Sequence, residues 1–326
     1  MLSTNHILQV FKLFFLSANL ICNSLATIQI CCIEKPKVFL IFGSKTGWIG
    51  QKILKHVQEQ GHTGIAAKSR LENRQDIEQE ITDAKPDFII NAAGLTGRPN
   101  VDWCEDHKPS TIRANIIGAL NLADIAYINH IHITNIGTGC IYEYDFEHPI
   151  HSQKGFKEND LPNFNGSFYS ETKIMLEKLL LCYPNVLNLR LRMPISSDLH
   201  PRNFITKITK YQKVVNVPNS MSILDDLLPL IPIMAIRNLT GAYNFVNPGT
   251  ISHNEILDLY KQYIDKKFTY TNFSIKEQNQ VLKAKRSNNE LDATKLLNEF
   301  PNLPSISKSI VQVFKHMQTN LISNTF

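Results

Sequence analysis

The chain has 326 residues, 43% of them hydrophobic, with 34 basic and 29 acidic side chains. That supplies apolar material for one large α/β domain or two modest ones, and it excludes a disordered or fibrous chain. The basic excess is small and dispersed, which argues against nucleic acid as a partner and suits an anionic small molecule.

Residues 1–36 read as an extension outside the fold. Leu13 to Ile33 carry no charge, which permits a signal peptide or membrane anchor. Ser17, Asn19, Asn23, Ser24, Thr27 and Gln29 dilute the run, so a disordered or weakly docked extension is favoured over a membrane segment. The six cysteines (Cys22, Cys31, Cys32, Cys104, Cys140 and Cys182) include no C-x-x-C pair, and no histidine belongs to a spaced ligand set. A disulfide framework or a metal site is therefore not expected, and the cytoplasm is the expected compartment.

From Lys37 the pattern becomes regular. Lys37–Phe42 is a short apolar run bounded by Pro36 and Gly43, as in a fully buried parallel strand. Gly43-Ser-Lys-Thr-Gly47-Trp-Ile-Gly50 follows, then a helical pattern over Gln51–Gln60. Strand, glycine turn and helix in that order make a dinucleotide cradle: bare backbone approaches a pyrophosphate, and free amides at the helix start meet its charge. Gly43, Gly47, Trp48, Ile49 and Gly50 are the cofactor-binding candidates here. A P-loop is rejected, because Ser44 separates Gly43 from Lys45 and Val38 stands where the upstream glycine belongs.

A second strand over Gly64–Ala67 leads to Lys68-Ser69-Arg70. An acid at that distance beyond the glycines would take a ribose 2′-hydroxyl, whereas hydroxyl and basic groups take a 2′-phosphate. Ser69 and Arg70 therefore favour NADPH over NADH, with NADH kept as the alternative. Asp87–Asn91 reads as a third strand, and the small residues Ala92, Ala93 and Gly94 at its carboxyl end let a cofactor lie against the backbone. Helical patterns over Pro109–Asn129 and strands over Ile131–Ile136 and Asn185–Leu191 complete an α/β, Rossmann-like doubly wound parallel sheet. The expected layout is a NAD(P)-binding domain over 37–192 and a smaller C-terminal substrate-binding lobe over 193–326, some segments of which return to the first domain.

Tyr169 and Lys173 lie four apart in a helical pattern and so share a helix face. A cation beside a phenol favours the phenolate and tunes the group for proton transfer, although the same spacing occurs in an ordinary solvated helix. Thr138 ends the preceding strand-like run, with Cys140 two residues on. Tyr142 to Phe168 is polar and too long for a simple connection, and is expected to cover the substrate.

These residues resemble the extended short-chain dehydrogenase/reductases. The longer strings Lys45–Gly50, Asn91–Cys104, Thr138–Asp145, Arg192–Asp198 and Arg202–Lys207 resemble the nucleotide-rhamnose synthases, and Arg286–Asp292 resembles the C-terminal segment of bacterial dTDP-4-keto-rhamnose reductases. The resemblance implies a bifunctional 3,5-epimerase/4-reductase that turns UDP- or dTDP-linked 4-keto-6-deoxyglucose into the L-rhamnose nucleotide with NADPH. It places Thr138 on the substrate carbonyl, Tyr169 as proton donor, and Lys173 on the nicotinamide ribose. It gives the proton movements at C3 and C5 to Cys140 and Lys207. An isolated cysteine is more often a small core hydrophobe, and a lysine in a basic helix is usually solvated, so those two roles rest on the resemblance. Asn203 and Arg286 are the substrate-binding candidates, Arg286 for a diphosphate.

Related 4,6-dehydratases carry an Asp-Glu pair where this chain has Gly139 and Cys140. A separate 4,6-dehydratase is thus expected upstream as pathway partner, and a homodimer is left open. The alternatives are a reductase only, a nucleotide-sugar 4-epimerase, or a non-catalytic regulatory subunit. One departure from the family pattern is the extra residue Ser44 in the glycine motif, which puts the contact made by Gly43 in doubt.

Overall fold

An unbroken apolar run forms a strand where both of its faces are covered. Val38–Phe42 (β1) meets that condition, with Phe39 and Ile41 in one core and Leu40 and Phe42 in another on the opposite face. The structure, a computed structural model, describes residues 35–323, so the expectations for the N-terminal extension fall almost wholly outside the described residues. From Lys37 onward the described chain is one compact unit.

In chain order, β1 leads to helix α1 (Trp48–Glu59), β2 (Thr63–Ala66), α2 (Arg74–Ala84) and β3 (Phe88–Asn91). Two short helical segments, Trp103–Asp106 and Lys108–Ile112, enter a π-helical turn at Arg113–Ile117, which continues as α3 (Gly118–Ile128). Then come β4 (His132–Thr138), α4 (Phe168–Leu180) and β5 (Val186–Leu191). The C-terminal part holds α5 (Phe204–Ile208), β6 (Lys213–Val214), α6 (Leu230–Ile236), β7 (Gly241–Asn244), α7 (His253–Tyr263), β8 (Thr271–Asn272) and α8 (Ile306–Ser323).

Six parallel strands pair in the order β2-β1-β3-β4-β5-β7. The core on one face includes Ile53 and Val57 of α1 and Ile231 and Met234 of α6. The other face packs Ile77 of α2, Leu122 of α3 and Leu176 of α4. Residues 230–244 thus return to the sheet from the second half. A third core, running from Ile195 to Met317, belongs to the C-terminal lobe, where β6 and β8 form a two-stranded sheet. Among the described residues no helix is long and apolar enough to cross a membrane.

The strand order reverses between β1 and β3, and a doubly wound sheet opens a crevice at that reversal. Gly43 and Ala92-Ala93 meet there: a Cβ on Gly43 would stand 2.6 Å from the Ala93 nitrogen.

Candidate active site

The Gly43 turn absorbs its extra residue. Gly43 takes φ +79°, a conformation that glycine adopts without steric cost. Its carbonyl accepts from the Gly47 amide at 3.1 Å, while buried Ser44 donates its hydroxyl to the Ile41 carbonyl at 2.7 Å. Gly43 therefore keeps its place against β3. No side chain caps the start of α1, so its first-turn amides are available to an anion. The Trp48 and Ile49 side chains turn into the protein instead. Trp48 is buried, stacks on His200 at 5.0 Å and donates to Asp198 at 3.0 Å, and Ile49 packs on the core. Only their backbone remains for a cofactor.

Ser69 departs from expectation. Its hydroxyl donates to Glu80 at 2.5 Å, and the amides of Lys68 and Ser69 donate to the same carboxylate at 2.7 and 2.9 Å. These hydrogen bonds hold Glu80 below the usual carboxylate range against the opposing effect of burial, the largest single influence on it. The Ser69 hydroxyl expected at a 2′-phosphate thus donates to Glu80 in this structure, while the exposed Arg70 lies 3.6 Å from Glu72. Beyond β3, the Ala92 amide donates to Phe42 at 2.9 Å, the Ala93 amide to the Asn91 side chain at 3.1 Å, and Gly94 faces Asn115.

Helix α4 begins at Ser167, whose hydroxyl accepts from the Ser170 amide at 3.1 Å. Ser170 in turn donates to the Cys140 carbonyl at 2.6 Å, fixing the first turn of α4 against the end of β4. Tyr169, Lys173 and Glu177 then recur every four residues on one face. Thr138 accepts from the Cys140 amide at 3.1 Å, which occupies one lone pair and leaves the hydroxyl proton for the Tyr169 phenol, its hydrogen-bond partner. Thr138, Cys140 and Tyr169 are thereby brought together.

The expected lowering of Tyr169 by Lys173 is not what the site shows. Burial, and after it the charge of Cys140, pushes the phenol above its ordinary value, with only partial relief from Thr138. The group that moves toward neutrality is Lys173, which burial lowers to about 8 while Glu177 pulls it back up. A phenol that keeps its proton is the form a proton donor needs.

Asn203 does not reach outward. It is fully buried, its amide nitrogen donates to the Ser196 and Asp198 carbonyls at 2.7 and 2.6 Å, and its oxygen caps α5 at Ile205. It therefore holds the helix that carries Lys207 and has no polar atom to spare for substrate. Lys207 is half-buried, and burial together with Arg202 lowers it from lysine's ordinary value. Arg286 is ion-paired to Asp102 at 2.8 Å.

Three sets of contacts escaped sequence reasoning. Asn91, Asn135 and Asn188 stand in register on β3, β4 and β5, linked side chain to side chain at 2.9 and 2.7 Å, and Asn188 donates to Glu177 at 2.7 Å. This ladder joins the sheet to α4. Asn115, on the π turn, clamps both backbone groups of Leu95 at 2.7 and 2.8 Å. The segment Ser287–Leu291 forms a wall beside Gly139–Tyr144: Asn289 donates to the Gly139 and Tyr142 carbonyls, and Tyr144 donates its amide to Asn288. The expected loop over the substrate is anchored by buried Tyr142 and Phe156, stacked at 4.5 Å. Of these features, only the i, i+4, i+8 continuation to Glu177 had a local signal.

A crevice at the strand reversal, an uncapped helix start and a Thr/Tyr/Lys set define a dinucleotide-dependent enzyme. The chain matches the NAD dependent epimerase/dehydratase family over residues 39–242 and belongs to it. It is 59% identical over 275 residues to the bifunctional dTDP-4-dehydrorhamnose 3,5-epimerase/dTDP-4-dehydrorhamnose reductase of Arabidopsis thaliana, covering 84% of this chain and 91% of that one. With the trifunctional UDP-glucose 4,6-dehydratase/UDP-4-keto-6-deoxy-D-glucose 3,5-epimerase/UDP-4-keto-L-rhamnose-reductase RHM1 of the same plant it shares 56% over 281 residues. That alignment covers 86% of this chain and 42% of the longer protein. Among solved structures, the L780 UDP-rhamnose synthase of Acanthamoeba polyphaga mimivirus superposes with a TM-score of 0.82 at 41% identity, over 87% of this chain and 100% of that one. A dTDP-4-dehydrorhamnose reductase from Bacillus anthracis, solved with NADP, shares the fold at a TM-score of 0.71 and 18% identity, over 89% of this chain and 99% of that one.

Proposed function

We propose that this protein is a bifunctional 3,5-epimerase/4-reductase that converts a UDP- or dTDP-linked 4-keto-6-deoxyglucose to the corresponding L-rhamnose nucleotide. The observation that carries the reading is the meeting of Cys140 with Thr138 and Tyr169 at the end of β4, in a chain so similar to a bifunctional plant enzyme. A reductase alone needs the Thr/Tyr/Lys set and has no use for the thiol beside it.

NADPH, when bound, supplies the hydride that reaches C4. Gly43, Gly47, Gly50 and the backbone of Trp48 and Ile49 would hold its pyrophosphate, and Ala92, Ala93 and Gly94 would lie along it. With Ser69 committed to Glu80, preference for the 2′-phosphate rests on Arg70 and Lys68. With the ketone bound, the Thr138 hydroxyl turns from Tyr169 to the C4 carbonyl, Tyr169 protonates the oxygen as it becomes an alkoxide, and Lys173 holds the nicotinamide ribose. Before that step Cys140 and Lys207 exchange protons on the carbons beside the ketone.

Gly139 accounts for the missing dehydratase step. A Cβ there would stand 2.5 Å from the Leu291 side chain and 2.8 Å from that of Arg192, so an acid at this position would have to push both side chains aside. A separate 4,6-dehydratase supplies the ketone. Exposed Tyr127 and Ile128 at the end of α3, with Met175 and Leu179 on adjoining α4, support a second copy of the chain as partner. The free thiols of Cys104, Cys140 and Cys182 fit a cytoplasmic setting.

The test is incubation with UDP- and dTDP-4-keto-6-deoxyglucose, NADPH and deuterated water, with products identified by NMR. Rhamnose nucleotide labelled at C3 and C5 is expected, and Cys140→Ser should lose the label. Reduction without label points to the reductase alone, and no turnover of either ketone points to a binding subunit.

A further inference from the structure

Arg192, just past β5, is fully buried. Its Nη1 donates to Ser287 Oγ at 2.9 Å, to the Gly139 carbonyl at 3.4 Å and to Cys140 Sγ at 3.6 Å. Its Nη2 donates to the Ser287 carbonyl at 3.0 Å and to the Asn219 side chain, while its Nε has no partner. These acceptors are carbonyl, amide and hydroxyl oxygens and one sulfur, and among the described residues no carboxylate forms an ion pair with it. A buried guanidinium without an anion is costly, and burial lowers Arg192 from arginine's ordinary value.

The surrounding groups leave one place for a compensating charge. Tyr144 feels Arg192, but burial pushes its phenol up, and its hydroxyl is donated to the Pro218 carbonyl at 3.0 Å. His253 also feels Arg192; burial and that charge lower it to about 4, so it stays neutral and adds no second cation. Cys140 is half-buried, and its sulfur lies 3.6 Å from Nη1.

We propose that Arg192 is a positioning residue for Cys140: the buried guanidinium orients the sulfur and balances the negative charge left when the thiol gives up its proton. This rests on the epimerase reading of Cys140. In the exchange step the sulfur takes a proton from a carbon next to the C4 ketone. The C–H bond breaks, an S–H bond forms, and the electron pair moves to the ketone oxygen as an enolate. Arg192 loses no proton, and nothing is oxidised or reduced. Gly139 is part of the arrangement, since a side chain there would displace Arg192 from the sulfur.

The test uses the full-length protein near neutral pH without substrate. Thiolate absorbance is read as the ultraviolet difference between wild type and Cys140→Ser, and iodoacetamide alkylation is followed at the Cys140 peptide by mass spectrometry. Wild type should show the thiolate band and alkylate Cys140 about tenfold faster than exposed Cys182, because the thiolate is the nucleophile. Arg192→Met should lose the band and slow Cys140 about tenfold, and Arg192→Lys should recover most of the rate. A flat wild-type difference spectrum, or a cooperatively folded Arg192→Met that alkylates at the wild-type rate, overturns the proposal. If Arg192→Met does not fold, the wild-type spectrum decides. Neither readout needs a sugar nucleotide, so failure of wild type to turn over either ketone sinks the functional reading and leaves this measurement standing.

Discussion

Arg190 and Arg192 are both buried at the end of one strand, yet their surroundings are electrically opposite. Arg190 grips Glu177 through Nε at 3.0 Å and through Nη2 at 2.5 Å, adds Asn244 and the Glu158 carbonyl, and lies over the Tyr142 ring. Its charge is neutralised inside the structural network that anchors α4. Arg192, a single side-chain repeat further on, is surrounded by neutral acceptors and the Cys140 sulfur. A closed pair holds a geometry, whereas an uncompensated cation is available to whatever negative charge the chemistry creates beside it.

The largest expected effect comes from breaking the closed pair. Glu177→Ala leaves Arg190 and Asn188 without their acceptor and should cost about 3–5 kcal/mol of stability, read by urea denaturation. An unchanged transition would mean that the α4 anchor lies elsewhere. On the chemical side, Tyr169→Phe should lower NADPH oxidation about 10²–10⁴-fold. Deuterium exchange into the ketone should persist in that variant, because it depends on Cys140, and loss of both together would argue that the two chemistries share one acid.

A milder effect follows from pH. Lys173 is charged below about 8 and neutral above it. Reduction should therefore decline as pH rises through that value, by about tenfold per unit at the limit. A profile flat to about pH 10, well above the value to which burial lowers Lys173, would remove the ammonium from the step. Smallest is Ser167→Ala, which removes the side-chain cap of α4 and should cost about 1 kcal/mol in thermal or urea unfolding, with activity falling only as far as Tyr169 loosens.

How much was legible varies with the range of each interaction. The glycine turn and the Tyr169/Lys173 pair are local, because a tight turn and a helix face are properties of a few successive residues. The hydrogen bond from Ser69 to Glu80 was not legible, because Glu80 reaches it from the next helix. Asn203 looked like a substrate ligand, but its side chain serves the local cap of α5, a role that its place just before the helical segment could have suggested.

By itself the sequence marked β1 to β5, the glycine turn and the Thr138–Cys140 and Tyr169–Lys173 pairs, but not β7, since apolar period, glycine placement and helical spacing act within short stretches. Only the tertiary structure decided what lies against those groups: Arg192 on Cys140, Asn289 on Gly139, and the asparagine ladder under α4. Those contacts join residues 44 to 150 positions apart. Polar side chains of this kind carry no periodic signal, because what makes them necessary is burial, and burial exists only once the chain has folded.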